Sequence, residues 1–372
     1  MNIISIDKSK LDQAITNMQS AINKKNVIDI TANISLETTD NKLILKATDH
    51  EIYIRTTLKT NSIQGEIKCA VNGEAIGNFI KGLNDTEVII EQDNENLYIK
   101  QNKASVFKIP IFEINDLPFS QDYKNEQQDF QAVNINNNFL LQSLKKIMHC
   151  CNDKESFNIA MQGILFEIKD NQINIAATDS KRLGYIQKQT ECNKDFISII
   201  PKKTLQEILK LFSTDCELYV KPMQDSNKIE TICFVNEDVE FYAKLINANF
   251  PDFKSIISNK PQTPAIQISK EKILKTLNQM NAICQRVKVT FETNKIIFET
   301  LEGMNGASAS VTINDIENHK TETITIGLVN RHLLECISNI KQEEFELIID
   351  DPYKPIFIIT KDFEEVIMPQ IL

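Results

Sequence analysis

The chain repeats itself three times, and this self-similarity constrains its fold more than any local pattern does. Residues 31–55 read TANISLETTDNKLILKATDHEIYIR, residues 161–186 read MQGILFEIKDNQINIAATDSKRLGYI, and residues 287–311 read VKVTFETNKIIFETLEGMNGASASV. Each copy is an alternating segment, a turn at Asn41, Asn171 or Asn294, and a second alternating segment, which is the pattern of a β-hairpin. The first two copies then end in the same tripeptide, Ala47-Thr48-Asp49 and Ala177-Thr178-Asp179. The copies recur at roughly 125–130 residues, the size of a domain rather than of a solenoid unit. One fold is therefore used three times, and its function is expected to lie in what the copies build together.

The repeat extends beyond the hairpin. Leu11, Ile15, Met18 and Ile22 fall at helical spacing, with Ser9 and Asp12 as a capping box. Phe139, Leu140, Leu144, Ile147 and Met148 repeat the pattern, as do Ile273, Leu274, Leu277 and Met280. A second helix is expected after each hairpin, over Gly73 to Leu83, Pro201 to Phe212 and Asn330 to Ile340; a proline suits a first helical turn. Strands follow at TEVIIEQ, CELYVKP and FELIIDD. The polar segments Asn115 to Val133 and Ser258 to Pro264 read as linkers. The fold class is thus α+β, three repeated domains of two helices on antiparallel sheets, with boundaries expected at 1–128, 129–260 and 261–372.

Chemistry is mostly excluded. No phosphate-cradling GxxxxGK[ST] or GxGxxG occurs, and the nine glycines are far below ordinary usage. His50, His149, His319 and His332 lack a second histidine at ligand spacing, and the eight cysteines form no CxxC pair. Adjacent Cys150-Cys151 suits neither an ordinary disulfide nor the usual zinc spacing, so no metal, cofactor or catalytic residue is expected. Thr178-Asp179 imitates a catalytic dyad, but a Thr-Asp after a strand more often caps its own turn, and its recurrence at Thr48-Asp49 favours that reading. No apolar run is long enough to span a membrane, and the first residues carry no cleavable signal pattern, which points to the cytoplasm.

The triplication, Ala177-Thr178-Asp179 followed by Arg182-Leu183, the IIPKK of residues 199–203, Phe250-Pro251-Asp252-Phe253, and Val366-Ile367-Met368-Pro369 together resemble the bacterial DNA polymerase III processivity clamp, the beta sliding clamp. The resemblance covers the whole chain. It implies a non-catalytic homodimer, closed head to tail into a six-domain ring. Strands form the outside of that ring, and helices line a hole for duplex DNA. Each helix then has one apolar face for the sheet and one polar face left over.

The formal net charge of −10 contrasts with that role, since DNA binders are usually basic. A ring needs only a tolerant inner wall, and weak phosphate contacts favour sliding. Lysines do collect on the helices and their starts, with Lys25, Lys202 and Lys203 the expected DNA contacts, while acids collect in turns and strands. A bland solvated helix face would place lysines there as well.

The resemblance also implies a groove for short linear peptides from the polymerase III alpha subunit, the clamp-loader ATPase, other DNA polymerases, mismatch repair proteins and ligase. The matching positions are Met161, Thr178, Ser180, Lys181, Arg182, Leu183, Pro251, Ser255, Ile256, His332, Tyr353, Pro355, Val366, Met368, Pro369 and Gln370. It puts the dimer joint at Phe107 and Ile109 against Ile283 and Cys284. Departures fall at Ser180-Lys181, where the family has Gly-His, at Ser255 and Ile371, each in place of an arginine, and at Glu155 and Asn158 on the DNA side. Two other classes fit the residues alone: an enzyme on a triplicated α+β scaffold, and a peptide-binding scaffold that never meets DNA.

Overall fold

The structure, a computed structural model, describes residues 2–22, 30–84, 86–101, 105–114, 129–152, 158–192, 194–213, 215–224, 226–316 and 322–372. Lys25, Glu155, His319 and most of the first expected linker lie outside the described residues. In chain order the first third contains β1 (Asn2–Asp7), α1 (Lys8–Met18), β2 (Asn33–Thr39), β3 (Lys42–Thr48), β4 (Ile52–Lys59), β5 (Ser62–Gln64), β6 (Lys68–Asn72), α2 (Gly73–Lys81), β7 (Glu87–Gln92), β8 (Asn96–Gln101) and β9 (Ser105–Pro110). The middle third contains β10 (Gln131–Ala132), α3 (Asn137–Ile147), β11 (Gly163–Lys169), β12 (Gln172–Thr178), β13 (Arg182–Gln189), β14 (Phe196–Pro201), α4 (Lys202–Leu211), β15 (Glu217–Pro222), β16 (Ile229–Val235), β17 (Val239–Lys244) and α5 (Phe253–Ser258). The last contains β18 (Ile266–Ser269), α6 (Lys270–Asn281), β19 (Arg286–Glu292), β20 (Lys295–Thr300), β21 (Ser310–Asn314), β22 (Ile324–Val329), α7 (Asn330–Ser338), β23 (Glu344–Ile348), β24 (Ile356–Ile359) and β25 (Glu364–Ile367).

Local chemistry explains the elements. The first two hairpins turn through Asp40-Asn41 and Asp170-Asn171, all four at positive φ, the tight turn that Asp and Asn tolerate best. The third turns through Thr293-Asn294 without positive φ, since β-branched threonine resists that conformation. The cap of α1 is Asp7, whose carboxylate accepts from the backbone N–H of Ser9 and Lys10, in place of the expected Ser9–Asp12 box. Pro201 ends β14 rather than opening α4, and α5, a single turn and a half after Pro251, has too few periodic residues to be read from sequence.

The chain forms two compact units that follow the sheets and not the repeats. Residues 1–141 with 203–245 make one unit, and residues 142–202 with 246–372 make the other. The first unit holds a five-stranded sheet, β5-β1-β7-β8-β9, and an eight-stranded sheet, β10-β15-β16-β17-β4-β3-β2-β6. The second holds an eight-stranded sheet, β14-β11-β12-β13-β25-β24-β23-β18, and a four-stranded sheet, β21-β20-β19-β22. All pairings are antiparallel. The middle repeat is thus divided: its second half pairs with the first repeat through β17 and β4, and its first half pairs with the third through β13 and β25.

Each of these seams is anchored. At β17–β4, Phe241 lies opposite Ile54 and Tyr242 opposite Tyr53, and both phenylalanine and isoleucine are fully buried. Arg55 Nη1 donates to Glu240 Oε1 at 2.5 Å there, and Tyr242 Oη donates to Glu240 Oε2 at 2.9 Å, so the buried carboxylate is both paired and hydrogen-bonded. At β13–β25, Leu183 meets Val366 inside a cluster with Leu165, Ile199, Phe253 and Phe357. Burying a side chain of this size contributes about 1.5–3 kcal/mol.

Candidate partner-binding groove

The Thr-Asp motif is a turn device. Thr178 Oγ1 donates to the Arg182 carbonyl at 2.7 Å and accepts from Ser180 N–H at 3.1 Å, while Asp179 Oδ1 accepts from the N–H groups of Lys181 and Arg182. Thr48 and Asp49 make the same four bonds to Ile52, His50, Glu51 and Ile52. In both turns the residue after the aspartate has positive φ, +73° at His50 and +72° at Ser180. A glycine would adopt that conformation freely.

This turn presents Arg182, whose side chain is only 6% exposed. Its Nε donates to Asp179 at 3.0 Å, its Nη1 to Glu335 on α7 at 2.5 Å, and its Nη2 to the His149 carbonyl at 2.5 Å. Burial works against the charge of Glu335, but hydrogen bonds from Arg182 and Arg331 outweigh it and hold that carboxyl below its usual range. His332, one turn earlier on α7, is half-buried; burial first, and then the positive charge of Arg182, hold its imidazole below the ordinary value. Arg182 is therefore a positioned cation, with its fork already filled by protein partners.

The chain end is tied beside this turn. Met368 N–H donates to the Lys181 carbonyl and Gln370 N–H to the Gly327 carbonyl, both at 2.8 Å. The tail thus covers the free edge of β22, and Gly327 allows the approach: a Cβ there would lie 2.8 Å from the Gln370 oxygen. Met368 is 39% exposed, and Pro369 and Gln370 are partly buried.

The structure therefore brings together Thr178, Ser180, Lys181, Arg182, Leu183, His332, Val366, Met368 and, through the shared cluster around Phe253, the α5 segment. Leu183 and Val366 are 3% and 2% exposed and belong to the core, so they floor the region rather than offer free apolar surface. Ile256 is exposed on α5, as is Ser255, whose N–H bonds Asp252; Pro251 is partly buried ahead of them. Met161 is partly buried in a short turn, where its carbonyl accepts from Asn152. Tyr353 is 84% exposed on the loop before β24, next to a partly buried Pro355. Asp179 reads from sequence as a turn cap and His149 as a histidine without a ligand partner, whereas Glu335 and Gly327, which also position the rest, are not singled out. A lone glycine inside an apolar strand was the available signal for Gly327.

Of the expected DNA contacts, Lys202 opens α4, and Lys203 pairs with Asp49 at 2.6 Å while staying half exposed. Asn158 caps a short turn through Ala160 N–H. At the expected joint, Phe107 stacks on Phe79 of α2 with ring centroids 4.7 Å apart, and Ile109 is buried. Ile283 is partly buried, and Cys284 is buried and bridges Gly303.

With this fold and turn in place, the relatives are informative. The family model for the DNA polymerase III beta subunit, N-terminal domain, matches residues 1–121, and that for its central domain matches residues 134–252. The chain is 28% identical over 373 residues to the Beta sliding clamp of Helicobacter pylori, covering 97% of this chain and 95% of that one. A solved structure of the H. pylori beta clamp bound to a DNA ligase peptide matches with a TM-score of 0.88 at 27% identity, over 100% of both chains. The beta subunit of Thermotoga maritima shares the fold, with a TM-score of 0.85 at 20% identity over 100% of both chains. The antiparallel α+β scaffold and these matches define a class of protein, the bacterial DNA polymerase processivity clamps. This chain belongs to the DNA polymerase III beta-subunit family, the sliding clamps, which are non-catalytic accessory subunits of the polymerase.

Proposed function

We propose that two copies of this chain close head to tail around duplex DNA and tether polymerases and repair enzymes to it. One observation carries the closure. Strand β9 is the repeat equivalent of β17 and β25, and β21 is the equivalent of β4 and β13. In the other two cases these strands pair, as β17–β4 and β25–β13. Within the described residues β9 and β21 each end a sheet without the partner that their repeat equivalents have, and open edges invite pairing. A two-fold operator satisfies both edges at once, twice. Extending the registers Phe241 opposite Ile54 and Glu365 opposite Gly184 puts Phe107 of one chain opposite Ala309 of the other. Ile283 and Cys284 flank that joint, and the three repeats, 1–128, 129–260 and 261–372, become six in the ring.

DNA is held by enclosure, with Lys25, Lys202 and Lys203 giving weak, sequence-independent contacts to phosphate. Partner peptides from the polymerase III alpha subunit, the clamp loader, other polymerases, mismatch repair proteins and ligase dock between Arg182, Ile256, His332 and the Met368-Pro369 tail. The ligase peptide on the H. pylori clamp supports this mode. The expected place is the cytoplasm, at the nucleoid. Among the described residues no helix is long and apolar enough to cross a membrane.

Native mass spectrometry tests the closure. Wild type should be a dimer, and Ile283→Asp should shift it toward monomer. An unchanged mass distribution at micromolar and lower concentrations would place the joint elsewhere.

A further inference from the structure

We propose that His149, Cys150 and Glu365 form a binding site for a borderline-soft divalent cation, with zinc the best match. The three residues come from two separate places. His149 and Cys150 follow α3, and Glu365 lies on β25. The ligand atoms of His149, Cys150 and Glu365 lie within 4.8 Å of one another. His149 Nε2 is 2.9 Å from Glu365 Oε2, and Cys150 Sγ is 3.4 Å from the same nitrogen. A tetrahedral zinc ion with bonds of about 2.0–2.3 Å separates its ligand atoms by roughly 3.3–3.8 Å, so small side-chain adjustments suffice.

The second observation is the carboxylate itself. Glu365 is completely buried, and its Oε1 has no hydrogen-bond partner. A buried carboxylate oxygen left without a partner is costly. Arg182, which grips the His149 carbonyl, has spent the rest of its fork on Asp179 and Glu335. The Cys150 thiol is fully buried in the same cluster. Nitrogen, carboxylate and sulfur are donors that zinc takes, and a cation would compensate the buried carboxylate.

Binding requires that the thiol proton of Cys150 leave to solvent as the metal–sulfur bond forms, and that the imidazole carry its proton on Nδ1. The Asn339 amide nitrogen lies 3.3 Å from Nδ1 and donates to the Glu335 carbonyl at 2.8 Å, so this amide must draw back from the ring as that proton arrives. Because Arg182 grips the His149 carbonyl, the metal would stiffen the groove from behind.

The experiment titrates the full-length, reduced protein with cobalt(II) chloride and with zinc chloride. One cobalt per chain is expected, with a thiolate-to-cobalt charge-transfer band that zinc abolishes. His149→Gln and Cys150→Ser should each weaken metal binding by at least about tenfold, with circular dichroism confirming folding, and the distant Cys216→Ser should not. Glu365→Gln serves if the Cys150 variant fails to fold. Absence of the band in wild type, or equal affinity in Cys150→Ser, would show that the cluster is only a hydrogen-bonded chain of Cys150, His149 and Glu365. The readout is the metal itself, so it is independent of peptide or DNA binding.

Discussion

Gly327→Ala probes the proposed groove without replacing any residue proposed to meet a peptide. A Cβ at position 327 would sit 2.8 Å from the Gln370 oxygen and 3.4 Å from both its carbonyl carbon and Leu372 Cδ2. Contacts under 3.0 Å between such atoms do not persist, so the tail must retreat from β22. The ladder of β22 with β19 lies on the opposite edge and stays intact. What is lost is the 2.8 Å bond from Gln370 N–H to the Gly327 carbonyl; the Met368 bond to Lys181 remains. One such bond contributes about 1 kcal/mol net. Peptide affinity should therefore fall roughly fivefold, and urea denaturation should show a loss of about 1 kcal/mol. The assay is fluorescence anisotropy of a labelled polymerase-tail peptide, with deletion of Met368–Leu372 in parallel, which should abolish binding while the dimer persists. If the deletion weakens binding and Gly327→Ala does not, the tail is not held in place by β22. If neither weakens it, the peptide site lies elsewhere.

Ser180→Gly should stabilise the protein by about 0.5–1 kcal/mol in chemical denaturation, because it relieves a side chain held at φ +72°; a loss would mean that the serine makes a compensating contact. Changing Lys25, Lys202 and Lys203 to Glu should weaken retention on circular DNA and flatten its salt dependence, with folding free energy altered by about 1 kcal/mol or less, since Lys203 loses only an exposed pair with Asp49; unchanged retention would count against an inner-wall role. Burial and Arg182 lower the His332 pKa in the folded state below 6.5, so its contribution is complete above pH 6.5 and is lost as pH falls below that through the folded value. His332→Gln should flatten the stability profile across that window, and an identical slope would assign the acid sensitivity to other groups.

The repeat made the architecture legible because the same hairpin, tripeptide and helix spacing recur, and each instance checks the others. The Thr-Asp turn was read correctly for the same reason: the two copies make one set of bonds. What escaped was whatever depends on long-range pairing. The division of the middle repeat between two sheets follows from β17 meeting β4 and β25 meeting β13, and no local pattern encodes which edge meets which. Leu183 and Val366 carry alternation that fits either a groove wall or a core, and only packing around Phe253 and Phe357 separates the two. The ligand cluster at Glu365 was invisible because its members stand more than two hundred residues apart in part, whereas metal motifs are recognised by short spacing.

The backbone N–H of Ile246 donates to the carbonyl of Ile199 at 3.0 Å. Residues 203–245, which belong to the other unit, therefore form a detour whose two ends leave and return side by side. Replacing that detour with a few glycines and serines would join residue 202 to residue 246 with little entropic cost. All sixteen positions proposed for the groove lie on the retained side of the cut. A minimal module for inhibitor discovery can thus be drawn along the sheet, where no pairing strand is severed, instead of along the repeat boundary, where one always is.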